Sequence, residues 1–154
     1  MDEFNELLSG DLSETQGKYL TFSVGDEEYG MEIDFVMEII GMQPITEVPD
    51  IPSYIKGLIN LRGKITPVMD VRLRFNKMPQ EYDERTCIIV VMQHNNTIGL
   101  IVDTIRDVLD IDDDQIGDPA GVKTGTPNRY IRSIARTDHG NKLIINLERV
   151  LSDH

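Results

Sequence analysis

The chain has 154 residues, with 15 Lys and Arg against 27 Asp and Glu, a formal charge of −12 at pH 7. That sign excludes nucleic acid as the main partner, because affinity for phosphate backbones comes from clustered basic side chains, and it suits an anionic membrane surface no better. A 40% hydrophobic content is enough for a packed core, and a single cysteine excludes a disulfide framework within the chain and fits a reducing cytosol.

Residues 1–17 carry Asp2, Glu3, Glu6, Asp11 and Glu14 and no base, and read as a flexible acidic tail. The opening is acidic where a secretory signal would be basic and then apolar. No run approaches the roughly 20 apolar residues that cross a bilayer. From Lys18 the pattern changes. Leu20, Phe22 and Val24 alternate with Tyr19, Thr21 and Ser23, the period of a half-buried strand. Gly25 to Glu28 turns the chain, and Tyr29 to Ile33 returns it as a hairpin partner. Phe35 to Ile40 is ambiguous between a helical turn and a strand. Ile45 to Val48 is extended and ends at Pro49, with Pro52 soon after.

Ile65 to Met69 reads as a strand in which Pro67 demands an edge or a bulge. Asp70 is placed to cap one short helix through Phe75, and residues 76–84 are polar and turn-rich. Cys87 to Met92 is continuously apolar, as in a strand covered on both faces. His94-Asn95-Asn96 turns it onto Ile98 to Val102, and Ile105 to Ile111 adds another strand. After turn-makers at Gly117, Pro119, Gly121 and Gly125, a last hairpin joins Tyr130–Arg136 to Leu143–Leu147, and Glu148 to Leu151 forms one helical turn. Eight to ten short strands without a long amphipathic helix make an all-β barrel or sandwich.

Motifs for chemistry are sparse. Ser53-Tyr54-Ile55-Lys56 and Lys123-Thr124-Gly125 match two parts of the serine β-lactamase signature, but the S-D-N type triplet that should lie between them is absent. Asp110 to Asp114 places acids at alternate positions, as a calcium loop does. Gln115 and Gly121 then stand where that loop needs a glycine and a bidentate glutamate. His94, His139 and His154 fall in turns or at the terminus without metal-ligand spacing. Cys87, within an apolar strand, reads as an inert buried thiol. These features predict no catalytic residues, no metal and no cofactor.

Gly57-Leu58-Ile59-Asn60-Leu61-Arg62-Gly63-Lys64-Ile65-Thr66-Pro67-Val68-Met69-Asp70 is the stretch with the most unusual mixture. Two glycines six apart permit tight or positive-φ backbone, Asn60 can bond locally, and Arg62 projects from a stiff turn between strands. This stretch resembles the Gly-x-Ile/Val-Asn-Leu-Arg-Gly and Pro-Val-x-Asp signature of the CheW family, the bacterial chemotaxis coupling proteins. Tyr19-Leu20-Thr21-Phe22 with Glu28-Tyr29-Gly30 resembles the family's opening hairpin. Val36-Met37-Glu38-Ile39-Ile40 is similar to its Val-x-Glu-Ile element, and Ile45-Thr46-Glu47-Val48-Pro49 to the strand leading to its proline. Ile98-Gly99-Leu100-Ile101-Val102-Asp103 and Leu143-Ile144-Ile145-Asn146-Leu147 resemble later strands of the same family. The departures are Met69, where a β-branched aliphatic residue is usual, and the aspartate run, which exceeds what the resemblance requires.

The resemblance covers residues 18–151 and implies a fold of two five-stranded SH3-like β-barrels that exchange elements, with one or two short helices. It implies a stand-alone cytoplasmic adaptor with no catalytic activity, recruited to membrane receptor arrays. Such a scaffold couples the cytoplasmic tips of methyl-accepting chemoreceptors to the regulatory domain of the chemotaxis histidine kinase CheA, in a motility pathway or a parallel chemosensory one. Positions matching the family's receptor-facing motif are Val36, Glu38, Ile39, Gly57, Leu58, Arg62 and, expected in the second barrel, Val108. Gly57 would let a receptor helix approach closely, and Glu38 and Arg62 would pair or offer charge. Leu20 and Ile33, expected on the first barrel, match kinase-facing positions.

Overall fold

The computed structural model describes Asn5 and residues 17–152. The expected acidic tail therefore falls, apart from Asn5 and Gly17, outside the described residues, as do Asp153 and His154. Among the described residues there are eleven strands, one more than the upper expectation, and one of them is a two-residue piece; the expected extended stretch Ile45 to Val48 holds only an isolated bridge at Thr46.

The opening hairpin pairs Lys18–Val24 (β1) with Glu27–Glu32 (β2) in antiparallel register, Gly25 turning the chain at φ 63°. The alternation predicts one wet face for β1. Instead Tyr19 through Val24 are all buried: Leu20, Phe22 and Val24 enter the main core, Tyr19 packs with Ile111, Ala135 and Ile144 in a satellite core, and β1 lies between β2 and Thr104–Asp110 (β8). Its polar face is satisfied across that second ladder. Thr21 Oγ1 donates to the Asp107 carbonyl at 3.1 Å, and Arg106 Nε donates to Ser23 Oγ at 2.7 Å.

The ambiguous segment contains both forms: a 3-10 turn at Ile33–Phe35, then Val36–Gly41 (β3). Ile55–Leu61 (β4) and Lys64–Asp70 (β5) form the next hairpin. Pro67 is tolerated because β5 gains its second neighbour only from Val68 onward, so the proline occupies a locally one-sided stretch, opposite a strand bulged at Ile55/Gly57. Asp70 caps Val71–Arg74 (α1), its side chain accepting from Leu73 N. Cys87–Gln93 (β6) and Asn96–Val102 (β7) join through His94 and Asn95 at φ 52° and 66°, the paired positive values of a tight hairpin turn whose twist matches the strands. Ile116–Gly117 (β9), Ile131–Thr137 (β10), Gly140–Ile145 (β11) and Leu147–Leu151 (α2) complete the chain.

Two sheets result, with strand orders β3-β6-β7-β5-β4 and β8-β1-β2-β11-β10-β9. The expected pair of five-stranded units is met in the first and enlarged by β9 in the second. The chain does not divide at its middle, since the opening hairpin pairs with β8 and, in parallel, with β11. One core spans both sheets, running from Leu20, Phe22 and Met31 to Ile39, Ile89 and Leu100. β6 feeds two cores from its two faces. Cys87, Ile89 and Val91 enter the shared core, while Ile88 and Val90 enter a second one with Ile59, Val68 and Ile101.

Aromatic rings lock the sheets to the helical turns. Phe22, Tyr29, Phe75 and Tyr130 follow one another at centroid spacings of 5.6, 5.2 and 5.3 Å. Buried Arg74 stacks over Tyr54 at 4.2 Å and donates from Nε to the Val150 carbonyl at 2.9 Å, holding the end of α2.

Candidate functional site

Strands β3 and β4 occupy opposite ends of the five-stranded sheet, yet they meet. Arg62 donates from one terminal guanidinium nitrogen to Glu38 Oε1 at 2.7 Å, and its other terminal nitrogen reaches Glu38 Oε2. Thr46, just beyond β3, exchanges main-chain bonds with Leu58 on β4, at 2.8 and 2.9 Å. The sheet therefore curls until its two edges approach, as a small barrel requires.

The turn that presents Arg62 is built by its sequence neighbours. Arg62 and Gly63 both have positive φ, 53° and 84°, and Gly63 N donates to Asn60 Oδ1 at 2.7 Å. An asparagine bonding two to three residues ahead stabilises such a turn without help from the core. The Arg62 side chain is 73% exposed and that of Glu38 only 14%. The pair is net neutral: the guanidinium fork is turned onto Glu38, and the N–H groups it does not use there are exposed while the carboxylate is tucked in. The bonds that Arg62 donates to Glu38, with the charge of that carboxylate, raise the guanidinium further above its usual range.

Val36 and Ile39 share β3 with Glu38 but point into the shared core, at 8% and 1% exposure. Gly57 is buried in β4, and the backbone that approaches it is the chain's own. A Cβ built there would lie 2.2 Å from the Thr46 carbonyl oxygen. The expectation that Gly57 admits a partner helix gives way to an intramolecular requirement. Leu58, half-buried, is bonded to Thr46 and stands opposite Pro67. The structure thus brings Val36, Glu38, Ile39, Gly57, Leu58 and Arg62 together around one curled edge.

Val108 and Leu20 depart from their expected places. They lie directly opposite each other on β8 and β1 of the same six-stranded sheet, not on separate barrels. Val108 is half-buried, Leu20 has no exposed surface and Ile33 has 4%. Both kinase-facing candidates are core residues, because β1 is covered on each side and Ile33 opens the turn that folds the chain from one sheet to the other. Sequence reasoning missed Met37 and Met92, large apolar side chains 46% and 39% exposed. Thr97 Oγ1 lies 3.9 Å from the Met37 sulfur. Their position next to buried alternates is the signal, since Val36 and Val91, each immediately before one of them, are inside.

The other residues singled out in the sequence have local roles among the described residues. Ser53 is exposed in the turn before β4, and Thr124 is bonded to Glu27. Burial pushes the Cys87 thiol up to about 11. Among the described residues no group of three or more His, Cys, Asp and Glu side chains is placed to hold a metal ion. No helix among them is long and apolar enough to cross a membrane. Part of the aspartate run has local work: Asp112 and Gln115 cap the 3-10 turn Asp113–Gln115 reciprocally, and Asp110 pairs with Lys18 at 3.0 Å.

The CheW-like domain model matches residues 18–154. The chain belongs to the CheW family. It is 34% identical over 140 residues to the chemotaxis protein CheW of Klebsiella aerogenes, covering 90% of this chain and 84% of that one. To the chemotaxis protein CheW of Bacillus subtilis it is 35% identical over 138 residues, covering 89% and 88%. Its fold matches the crystal structure of the scaffolding protein CheW from Thermoanaerobacter tengcongensis with a TM-score of 0.82 and 36% identity. That match covers 88% of this chain and 92% of the other.

Proposed function

We propose that this protein is a non-catalytic scaffold that couples the cytoplasmic tips of methyl-accepting chemoreceptors to the regulatory domain of the chemotaxis histidine kinase. It works from the cytoplasm and is recruited to receptor arrays at the membrane. The observation that carries this reading is the Glu38–Arg62 pair at the curled edge. A guanidinium fixed by a half-buried carboxylate and a stiff turn is a preorganised donor, and an arginine held in one rotamer loses little entropy on docking. Apolar surface on Leu58, half-buried, supplies flanking area that a helical tip laid into a groove would cover, while Val108 lies on β8 of the other sheet. Val36, Ile39 and Gly57 act from beneath, by holding β3 and β4 in register. Leu20 within the opening hairpin and Ile33 in the 3-10 turn after it support the kinase-facing surface from the core rather than by touching the kinase.

The test is a titration of a soluble chemoreceptor cytoplasmic fragment into the wild-type protein and into Arg62→Ala. The substitution should weaken binding roughly tenfold or more, as loss of a preorganised arginine anchor does, with the melting transition unchanged. Equal affinities, or weakened binding accompanied by a collapsed melting transition, would overturn the role given to Arg62.

A further inference from the structure

We propose that the outer edge of β3 is an intramolecular docking surface whose occupant is the N-terminal segment of this chain, seated through Asn5, and that the segment competes with the receptor tip there. This rests on the receptor-facing reading of β3. The juxtaposition is specific in geometry. Asn5 Nδ2 donates to the Ile39 carbonyl at 3.1 Å, and Ile39 N donates to Asn5 Oδ1 at 2.9 Å. One carboxamide satisfies both main-chain groups of a single residue, as the facing residue of a neighbouring strand would.

The surface has reason to take such a partner. β3 ends its sheet, with β6 on one side and, among the described residues, no strand on the other, and an edge strand leaves alternate N–H and C=O groups unpaired. Ile39 faces Ile89 across the β3–β6 ladder. Its own N–H and C=O, bonded by Asn5, point away from that ladder. Glu38, the next residue on the same strand, carries the bond to Arg62. An occupant at Ile39 therefore stands one residue from the exposed guanidinium.

The contact is built to be displaced. Two net hydrogen bonds are modest in water, and ordering a terminal segment opposes them. The segment also carries five acids and no base within residues 1–17, and the nearby guanidinium of Arg62 is already paired with Glu38, so charge adds little to hold the segment there. A receptor tip binds only the fraction of molecules whose edge is free, and its apparent affinity falls by that fraction.

Two measurements on the full chain and on Asn5→Ala test this. In native-state hydrogen exchange, the Ile39 amide should exchange roughly tenfold faster in the variant, while Ile89 on β6 is unchanged. In a titration with a soluble chemoreceptor cytoplasmic fragment, the variant should bind about 3- to 10-fold tighter. Equal Ile39 exchange in the two proteins overturns the proposal. Protection of Ile39 in the variant that grows with protein concentration also overturns it, since a second copy would then own the edge. Faster exchange with unchanged receptor affinity overturns the competition. Failure of both proteins to bind the fragment refutes the receptor-facing reading instead, while the exchange rates still report on the Asn5 contact.

Discussion

Gly57 illustrates how little of a residue's role its type reveals. Its φ of 146° and the 2.2 Å separation between a built Cβ and the Thr46 carbonyl oxygen leave no room for alanine. The next neighbours, Ile45 Cγ2 and the Thr46 carbonyl carbon, would each lie 2.9 Å away. Because the obstructing atom is backbone, relief requires moving the Thr46–Leu58 bridge itself. Gly57→Ala should therefore lower stability by roughly 2–4 kcal/mol, read as a shift in the urea midpoint. An unchanged midpoint would show that the curled edge is not held by that bridge. A glycine there is legible from sequence as a demand for close approach. Whether the approaching backbone is a partner's or the chain's own is not, since Thr46 is eleven residues away and nothing local joins them. Arg62 is the opposite case: Asn60, Gly63 and the intervening turn lie within four residues, so its exposure follows from local chemistry.

Among elements, the contact with a pH signature is made by Glu27 at the head of β2. Lys77, beyond α1, donates from Nζ to Glu27 Oε1 at 2.9 Å, Thr126 donates to the same oxygen at 3.0 Å, and Thr124 bonds the other. Burial pushes the carboxyl up, but the bonds from Thr124, Lys77 and Thr126, with the Lys77 charge, outweigh it and hold Glu27 below the ordinary 4.5. A folded value below the unfolded one means the stabilisation is full above 4.5. It is lost as the pH falls from there through the folded value. Wild type should exceed Glu27→Gln in urea midpoint at pH 7, and the gap should narrow below pH 4.5. A gap independent of pH would mean that the charge of Glu27 does not fasten β2 to the chain beyond α1. The elements themselves were largely readable. Asp70 capping α1, the His94-Asn95 turn and the two-faced apolar run of β6 each depend on residues within one turn or one strand. The second face of β1 was not, because its cover, from Ile111, Ala135 and Ile144, arrives more than eighty residues later.

For the whole molecule, the shared core makes the two sheets one cooperative unit. Cys87 sits in that core at 1% exposure with its thiol held up by burial. It should resist alkylation by iodoacetamide at pH 8 and react only as fast as the protein unfolds globally, with protection lost across the urea transition. Labelling well below that transition would show that β6 opens separately from the rest.

The all-β class, the hairpins, the helix cap and the family signature from Gly57 to Asp70 were determined by the sequence alone, because each rests on periodicity, turn chemistry or order within a short span. Which strands pair was decided only by the tertiary structure. Pairing is a contest among long-range contacts, and alternation in a strand says which face is apolar but not what covers it. That contest placed Leu20 opposite Val108 in one sheet and buried it. It also brought the opposite ends of another sheet together, so that Glu38 meets Arg62.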